Sequence, residues 1–330
     1  MPITPPPVTP SPIAPSPVIP PPFDPELAAA YATFADTMPI GVTAEMIAGM
    51  RAGDVAATDA ELSRDGAFKV EHRTVAPGVS LVICTPASPA GPLGCLFRTH
   101  GGGMVSGDRR AGLDEPLDWA AEFNLVVVSV GYRLAPEAPH PGPIDDCWAG
   151  LQWTAAHAAE LGFDPGRLIV AGGSAGGGLA AALALRARDE GSPALLGQML
   201  LCPMLDDRND TVSARQMAGL GVWDQASNET GWRALLGDAH GGPDVSPYAA
   251  PARATDLSSL APAFIDVGSA ETFRDEDVAY ATRIWQAGGE AELHVWPGGF
   301  HAFDGLVPTA AVSQDAKAAR VRWLARLLTR

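Results

Sequence analysis

The sequence predicts an α/β fold, a mostly parallel sheet with helices on both faces. Three observations lead there. Short apolar runs and helical stretches alternate from about residue 80 to the C-terminus, the spacing that strand–helix–strand units produce. Residues 171–178 read AGGSAGGG between the apolar run 168–170 and an alanine-rich stretch, so a strand passes through a very tight turn into a helix. Two later strand-like runs are each followed by a loop with a titratable side chain, at the end of the sheet where that turn lies.

Taken in order, the chain opens on a tail: about half of residues 1–25 are proline, and Asp24 is the first charged side chain. Proline supplies no backbone donor, so residues 1–22 are expected to be an extended polyproline-II-like segment. Such a tail either has no defined partner or docks on a second subunit or a proline-reading module. It lacks the basic start and unbroken apolar stretch of a secretory signal. Residues 23–65 turn alanine-rich, with Leu27, Tyr31 and Phe34 at helical spacing. Strands are then expected at 80–84, 94–99, 125–130, 168–170, 199–202, 263–267 and 292–296, with helices at 145–161, 276–287 and 310–328. Between Met204 and Leu260 no strand is apparent, but Met217, Val222, Trp223, Trp232 and Leu235 lie among turn residues. A helical insertion at about 205–255 would sit over the carboxyl ends of the strands, where open α/β sheets bind ligands. With residues 23–65 it forms a lid, and Trp223 is a candidate wall of the pocket below it. Residues 66–330, less that insertion, make up the main domain.

Bulk properties exclude several function classes. Lysine plus arginine number 22 against 38 aspartate plus glutamate, a formal charge of −16, so the average field repels nucleic acid and anionic membranes and suits a small neutral ligand. No apolar run is long enough for a membrane span. The four cysteines are scattered without metal-ligand spacing; Cys84, Cys95 and Cys202 lie in apolar strand-like runs, which favours buried free thiols and a reducing, cytoplasmic setting.

Ser174 stands at the centre of Gly172-x-Ser-x-Gly176. Glycines suit such a turn because side chains there would strike the adjoining strand and helix, while the serine is held strained with its hydroxyl above the sheet. A glycine-rich helix start that merely packs closely has the same letters. A dinucleotide fingerprint finds no register here, and a phosphate loop lacks its lysine. A serine hydroxyl attacks only when a base takes its proton and an acid fixes that base. His301 follows the last strand. Glu271 is the favoured acid, with Asp275 one helical turn later and Asp266 within the strand as competitors. The triplet Gly101, Gly102 and Gly103 leaves backbone N–H groups open to approach; with that of Ala175, those of Gly102 and Gly103 would stabilise an oxygen that gains negative charge. No metal or cofactor is needed for this chemistry.

The set HGGG (100–103), YRLAPE (132–137), GGSAG (172–176), VSPY (245–248), FRDE (273–276) and PGGFHAF (297–303) resembles the bacterial hormone-sensitive-lipase-like branch of the α/β-hydrolases, from about residue 65 to the C-terminus. The resemblance implies an α/β-hydrolase fold with an eight-stranded, mostly parallel core and a helical cap. It implies cofactor-free hydrolysis of carboxylic esters, usually short-chain, with Ser174, Glu271 and His301 as triad and Gly102, Gly103 and Ala175 as oxyanion donors. It also implies a homodimer, since members often pair. An acyltransferase, amidase or lactonase would use the same triad. Plant hormone receptors related to this branch bind ligand without turnover and have lost the histidine, which is present here. The chain departs from the pattern at Gly173, where aspartate is common; at Glu271, where aspartate is more frequent; and at Met104, where an aromatic is common and a role in shaping the substrate pocket is expected.

Overall fold

The structure, a computed structural model, describes residues 18–329. Most of the proline-rich tail, residues 1–17, lies outside the described residues. Three helices precede the first strand: α1 (Pro25–Phe34), α2 (Ile47–Gly53) and α3 (Asp59–Ser63). The strands are β1 (Phe68–Ala76), β2 (Val79–Pro86), β3 (Leu93–Thr99), β4 (Leu125–Gly131), β5 (Phe163–Gly173), β6 (Gly197–Leu201), β7 (Ala263–Gly268) and β8 (Ala291–Trp296). They form one sheet in the order β1-β2-β4-β3-β5-β6-β7-β8. β1 and β2 pair antiparallel, as do β2 and β4, and every pair from β4 to β8 is parallel. The helices between and after them are α4 (Asp114–Phe123), α5 (Gly142–Ala156), α6 (Ala158–Leu161), α7 (Ala175–Glu190), α8 (Val212–Gln216), α9 (Gln225–Leu236), α10 (Arg274–Gln286), α11 (Phe303–Leu306) and α12 (Ala311–Leu328).

The two faces of the sheet carry separate cores. One packs α5, α7 and α10 against Phe97, Val128, Val170 and Ile265; the other packs α4 and α12 against Leu96, Val127, Ile169 and Phe264. Central strands covered on both faces read as continuous apolar runs, which is why β3, β4 and β5 are legible in the sequence. β1 is not. Its sequence FKVEHRTVA alternates toward solvent and only Phe68 is buried, because it is the edge of the sheet.

α1 begins at Asp24, whose carboxylate accepts from the N–H groups of Glu26 and Leu27, with Pro25 at the first helical position. The helix is tied to the far end of the chain. Asp24 N–H donates to Gly298 O at 3.1 Å, and Phe23 and Tyr31 each pack a ring against Phe300 with centroids 5.4 Å apart. The N-terminal segment therefore backs the loop that carries His301.

Between β6 and β7, α9 and its N-cap residue Asp224 meet the segment that joins α1 to α2: Val42 N–H donates to Ser227 Oγ, Gly41 N–H to Asp224 Oδ1, and Thr230 Oγ1 to Val42 O. Among the described residues no helix is long and apolar enough to cross a membrane.

Candidate active site

The turn between β5 and α7 holds Ser174 at φ 58°, ψ −128°, a strained conformation for a residue with a side chain. Its flanking glycines are sterically required. A Cβ on Gly172 would lie 2.3 Å from Gly176 O, and one on Gly176 would lie 2.2 Å from Thr99 O. Gly173 differs, since a Cβ there would meet nothing closer than Leu201 O at 3.7 Å. The turn therefore does not require glycine at this position for want of space at Cβ.

Glu271 and His301 lie in the loops after β7 and β8. His301 Nδ1 is 3.0 Å from Glu271 Oε2, both side chains are buried, and Phe273 sets its ring edge against the imidazole at 5.4 Å. Glu271 Oε1 accepts from Phe273 N–H, so the carboxylate is held at both oxygens. Asp275 is engaged elsewhere, with Ser213 N–H and Arg274, and Asp266 with Arg320. Asp277, in α10 below this loop, is buried with both carboxylate oxygens unpartnered, and burial raises its pKa well above the usual range. The nearby Glu276 and Glu271 carboxylates push it the same way, disfavouring a second charge beside Glu271.

His301 and Ser174 line one cavity of about 470 Å³. Among the described residues Ser174 Oγ has no hydrogen-bond partner; in the absence of substrate such bonds are commonly long. Burial alone pulls the His301 pKa down, but the Glu271 carboxylate and the Cys202 sulfur act the other way and leave it well above the ordinary histidine value. A base with a raised pKa loses its neutral form at a higher pH. The acid limb of kcat/KM is therefore expected above the ordinary histidine value, and in Glu271→Gln a histidine NMR titration should find the His301 midpoint displaced downward.

The glycine triplet lies in the same cavity wall. Gly102 and Gly103 have φ of 116° and 60°, and Ala175 is the first residue of α7, where an N–H has no intrahelical acceptor. Among the described residues none of these three N–H groups donates a hydrogen bond within the protein. The loop is braced from several sides. His100 Nδ1 is 2.8 Å from Gly101 O, Tyr132 OH donates to His100 O, and their rings stack at 4.2 Å. Arg51 of α2 donates to Val105 O and Ala135 O while pairing with Glu137. The 132–137 segment thus serves to hold the 100–105 loop.

Trp223 lines the cavity as the sequence suggests, close enough that a Cβ on Gly103 would lie 2.3 Å from its ring. Met104 does not. Its φ of 67° turns it into the core, where it is 1% exposed, so it is not a wall of the pocket. Cys202 corrects the sequence reading in the opposite sense: Cys84, Cys95 and Cys147 are buried thiols, whereas Cys202, the residue after β6, has φ 36° and lines the cavity. Its sulfur lies within 4.8 Å of the Glu271 and His301 ligand atoms.

A protein family defined by the alpha/beta hydrolase fold matches residues 96–305, well over half of the sequence. The chain belongs to the α/β-hydrolase family. Its relatives in the family include esterase LipI of Mycobacterium tuberculosis, 34% identical over 260 residues, which are 72% of this chain and 80% of LipI. Carboxylesterase NlhH of the same species is 36% identical, over 79% of this chain and 82% of its own. Among solved structures, a bacterial heroin esterase superposes with a TM-score of 0.82 at 38% identity, over 93% of this chain and 98% of its own. The eight-stranded hydrolase sheet expected from the resemblance is thus present, including the edge strand β1 that residue patterns alone do not reveal.

Proposed function

We propose that this α/β-hydrolase is a serine carboxylesterase that cleaves short-chain carboxylic esters through an acyl-serine intermediate. It is a carboxylic ester hydrolase by family and by its esterase relatives. The observation that supports the mechanism is that a strained serine, a carboxylate-bound imidazole and Gly102 and Gly103 line one cavity, with Ala175 next to the serine at the start of α7.

In this reading His301 takes the Ser174 proton as Oγ attacks the ester carbonyl, and Glu271 holds the imidazole in orientation and stabilises its protonated form. The carbonyl oxygen, now negative, is met by the N–H groups of Gly102, Gly103 and Ala175, each worth about 3 kcal/mol of transition-state stabilisation in comparable sites. The alcohol leaves with a proton from His301. Water, activated by the same residue, then releases the acid and restores the serine.

Residues 23–65 and the 205–255 insertion act as the cap over this site. The reading is supported by their mutual hydrogen bonds and by the apolar cavity wall they supply through Met38, Val42, Met50, Val222 and Trp223. That wall and the negative net charge favour a small neutral ester in the body of the cavity. A cytoplasmic setting is part of the same reading, supported by four free cysteines, three of them buried.

The test is release of nitrophenol from p-nitrophenyl butyrate, followed together with the fate of the acyl group. Steady release with free butyrate as product is expected. Acyl transfer to added alcohol in preference to water would make the protein an acyltransferase, and wild-type release no faster than that of Ser174→Ala would make it a receptor.

A further inference from the structure

The wall of the cavity that holds Ser174 also includes charged side chains. Besides its apolar residues it contains Arg98, Glu115, Asp304 and Arg320. Arg320 is fully engaged, with Asp266, Asp304 and Glu115. Arg98 is not. It is the penultimate residue of β3, two positions before His100, and the alternation of the strand sends it to the α4 and α12 face, opposite Thr99, whose Oγ1 bonds Gly176 O beside α7. Among the described residues its guanidinium makes no hydrogen bond and no ion pair, and its Nη1 is buried without a partner. Burial lowers its pKa to about 10, which leaves it charged at neutral pH.

Two more buried polar atoms without partners belong to the same region. One is Oε1 of Glu115, on the cavity wall; the other is Oγ of Ser129, the register partner of Arg98 on β4 and so on the same face of the sheet. Desolvating a guanidinium costs several kcal/mol unless a counter-charge and hydrogen bonds offset it. Arg320 and Arg253 follow that rule with carboxylates at 2.9 Å and 2.6 Å. The exception opens into the cavity of the reactive serine.

We propose that Arg98 seats a carboxylate carried by the substrate, remote from the scissile carbonyl, so that the preferred esters are half-esters of dicarboxylic acids. This rests on the hydrolytic reading above and replaces its neutral ester by one that is neutral at the scissile end and anionic at the other. The planar fork of arginine suits a carboxylate through two parallel N–H donors. The net charge of −16 opposes approach of an anion only at long range, where salt screens it. At contact the local guanidinium dominates. The chemistry is unchanged: Ser174 Oγ bonds the acyl carbon, the alcohol departs with a proton, and water releases a dicarboxylate.

The experiment compares monoethyl esters of succinate through suberate with ethyl esters of the monocarboxylic acids of equal carbon number, followed by titration of released acid. At one chain length or more the half-ester is expected to exceed its neutral match in kcat/KM by about tenfold. Arg98→Met should lower that ratio by about tenfold, with Arg98→Lys between. Calorimetry of adipate on Ser174→Ala should detect binding that Ser174→Ala/Arg98→Met lacks. Preference for the neutral ester at every length overturns the proposal using wild type alone, whatever the variants do. So does acetate binding at Arg98 without any gain for a tethered carboxylate. Failure to turn over either series would instead strike the hydrolytic reading.

Discussion

In His301→Ala, kcat on p-nitrophenyl butyrate is expected to fall by about 10⁴-fold or more, and Ser174→Ala should fall equally. The double variant should be no worse than either single one. Residues that act as one proton-handling unit lose their benefit together, so their free energies do not add. The geometry favours Glu271 as the acid of the proposed unit, since it is 3.0 Å from His301 Nδ1, while Asp275 is bonded to Ser213 N–H. Glu271→Gln should therefore lower kcat by about 10²–10⁴-fold, and Asp275→Asn should stay within about threefold. The reverse order of the two acids would reassign the third member.

The second large effect is on stability. Arg320→Met removes the cation paired with Asp266, Asp304 and Glu115 in a pocket where Arg320 and Asp266 are almost fully buried, and leaves only the more distant charge of Lys317 acting on Glu115 and Asp304. Burial raises the pKa of Asp266 and Glu115 even with Arg320 present, whereas for Asp304 burial is outweighed by the charge and hydrogen bond of Arg320, which hold it below its usual value. Breaking a buried pair from one side typically costs about 3–5 kcal/mol, which urea unfolding would measure. The loss has a functional side. Asp266 O accepts from Cys202 N–H, and Asp304 follows His301 by three residues, so the network anchors both the β6 turn and the histidine loop. An Arg320→Met protein as stable as wild type would mean that these carboxylates find other partners or protonate without strain.

How much of this was legible beforehand depends on whether chain direction or tertiary packing decides the position. Ser174 could be read because the elbow is a local device whose glycines are forced by contacts within a few residues of it, Gly172 against Gly176 and Gly176 against Thr99. His301 and Glu271 follow from strand order, since loops after parallel strands emerge at one end of the sheet. The break in rhythm between β6 and β7 is legible as a stretch without strands, and α8 and α9 lie within it.

The failures share a cause. Met104 and Cys202 both have positive φ, at 67° and 36°, and a reversal at one residue exchanges core and cavity. Nothing in the runs around them signals that reversal: Cys202 follows Met199, Leu200 and Leu201 and looks like one more buried strand residue. The place of Arg98 is hidden in the sequence for a related reason. A charge at the end of an apolar strand is ordinarily taken as a strand terminus, and only the fold brings it into the cavity of Ser174 without a counter-ion.

The central claim, that Ser174 is the nucleophile activated at this site, is tested most directly by reaction with diethyl p-nitrophenyl phosphate followed by peptide mass analysis. One equivalent of nitrophenol should be released, with a single diethylphosphoryl group on the peptide containing Ser174 and none in His301→Ala over the same time. Labelling of Cys202, the other nucleophile in the cavity, or the absence of any adduct in the wild-type protein, would contradict the account.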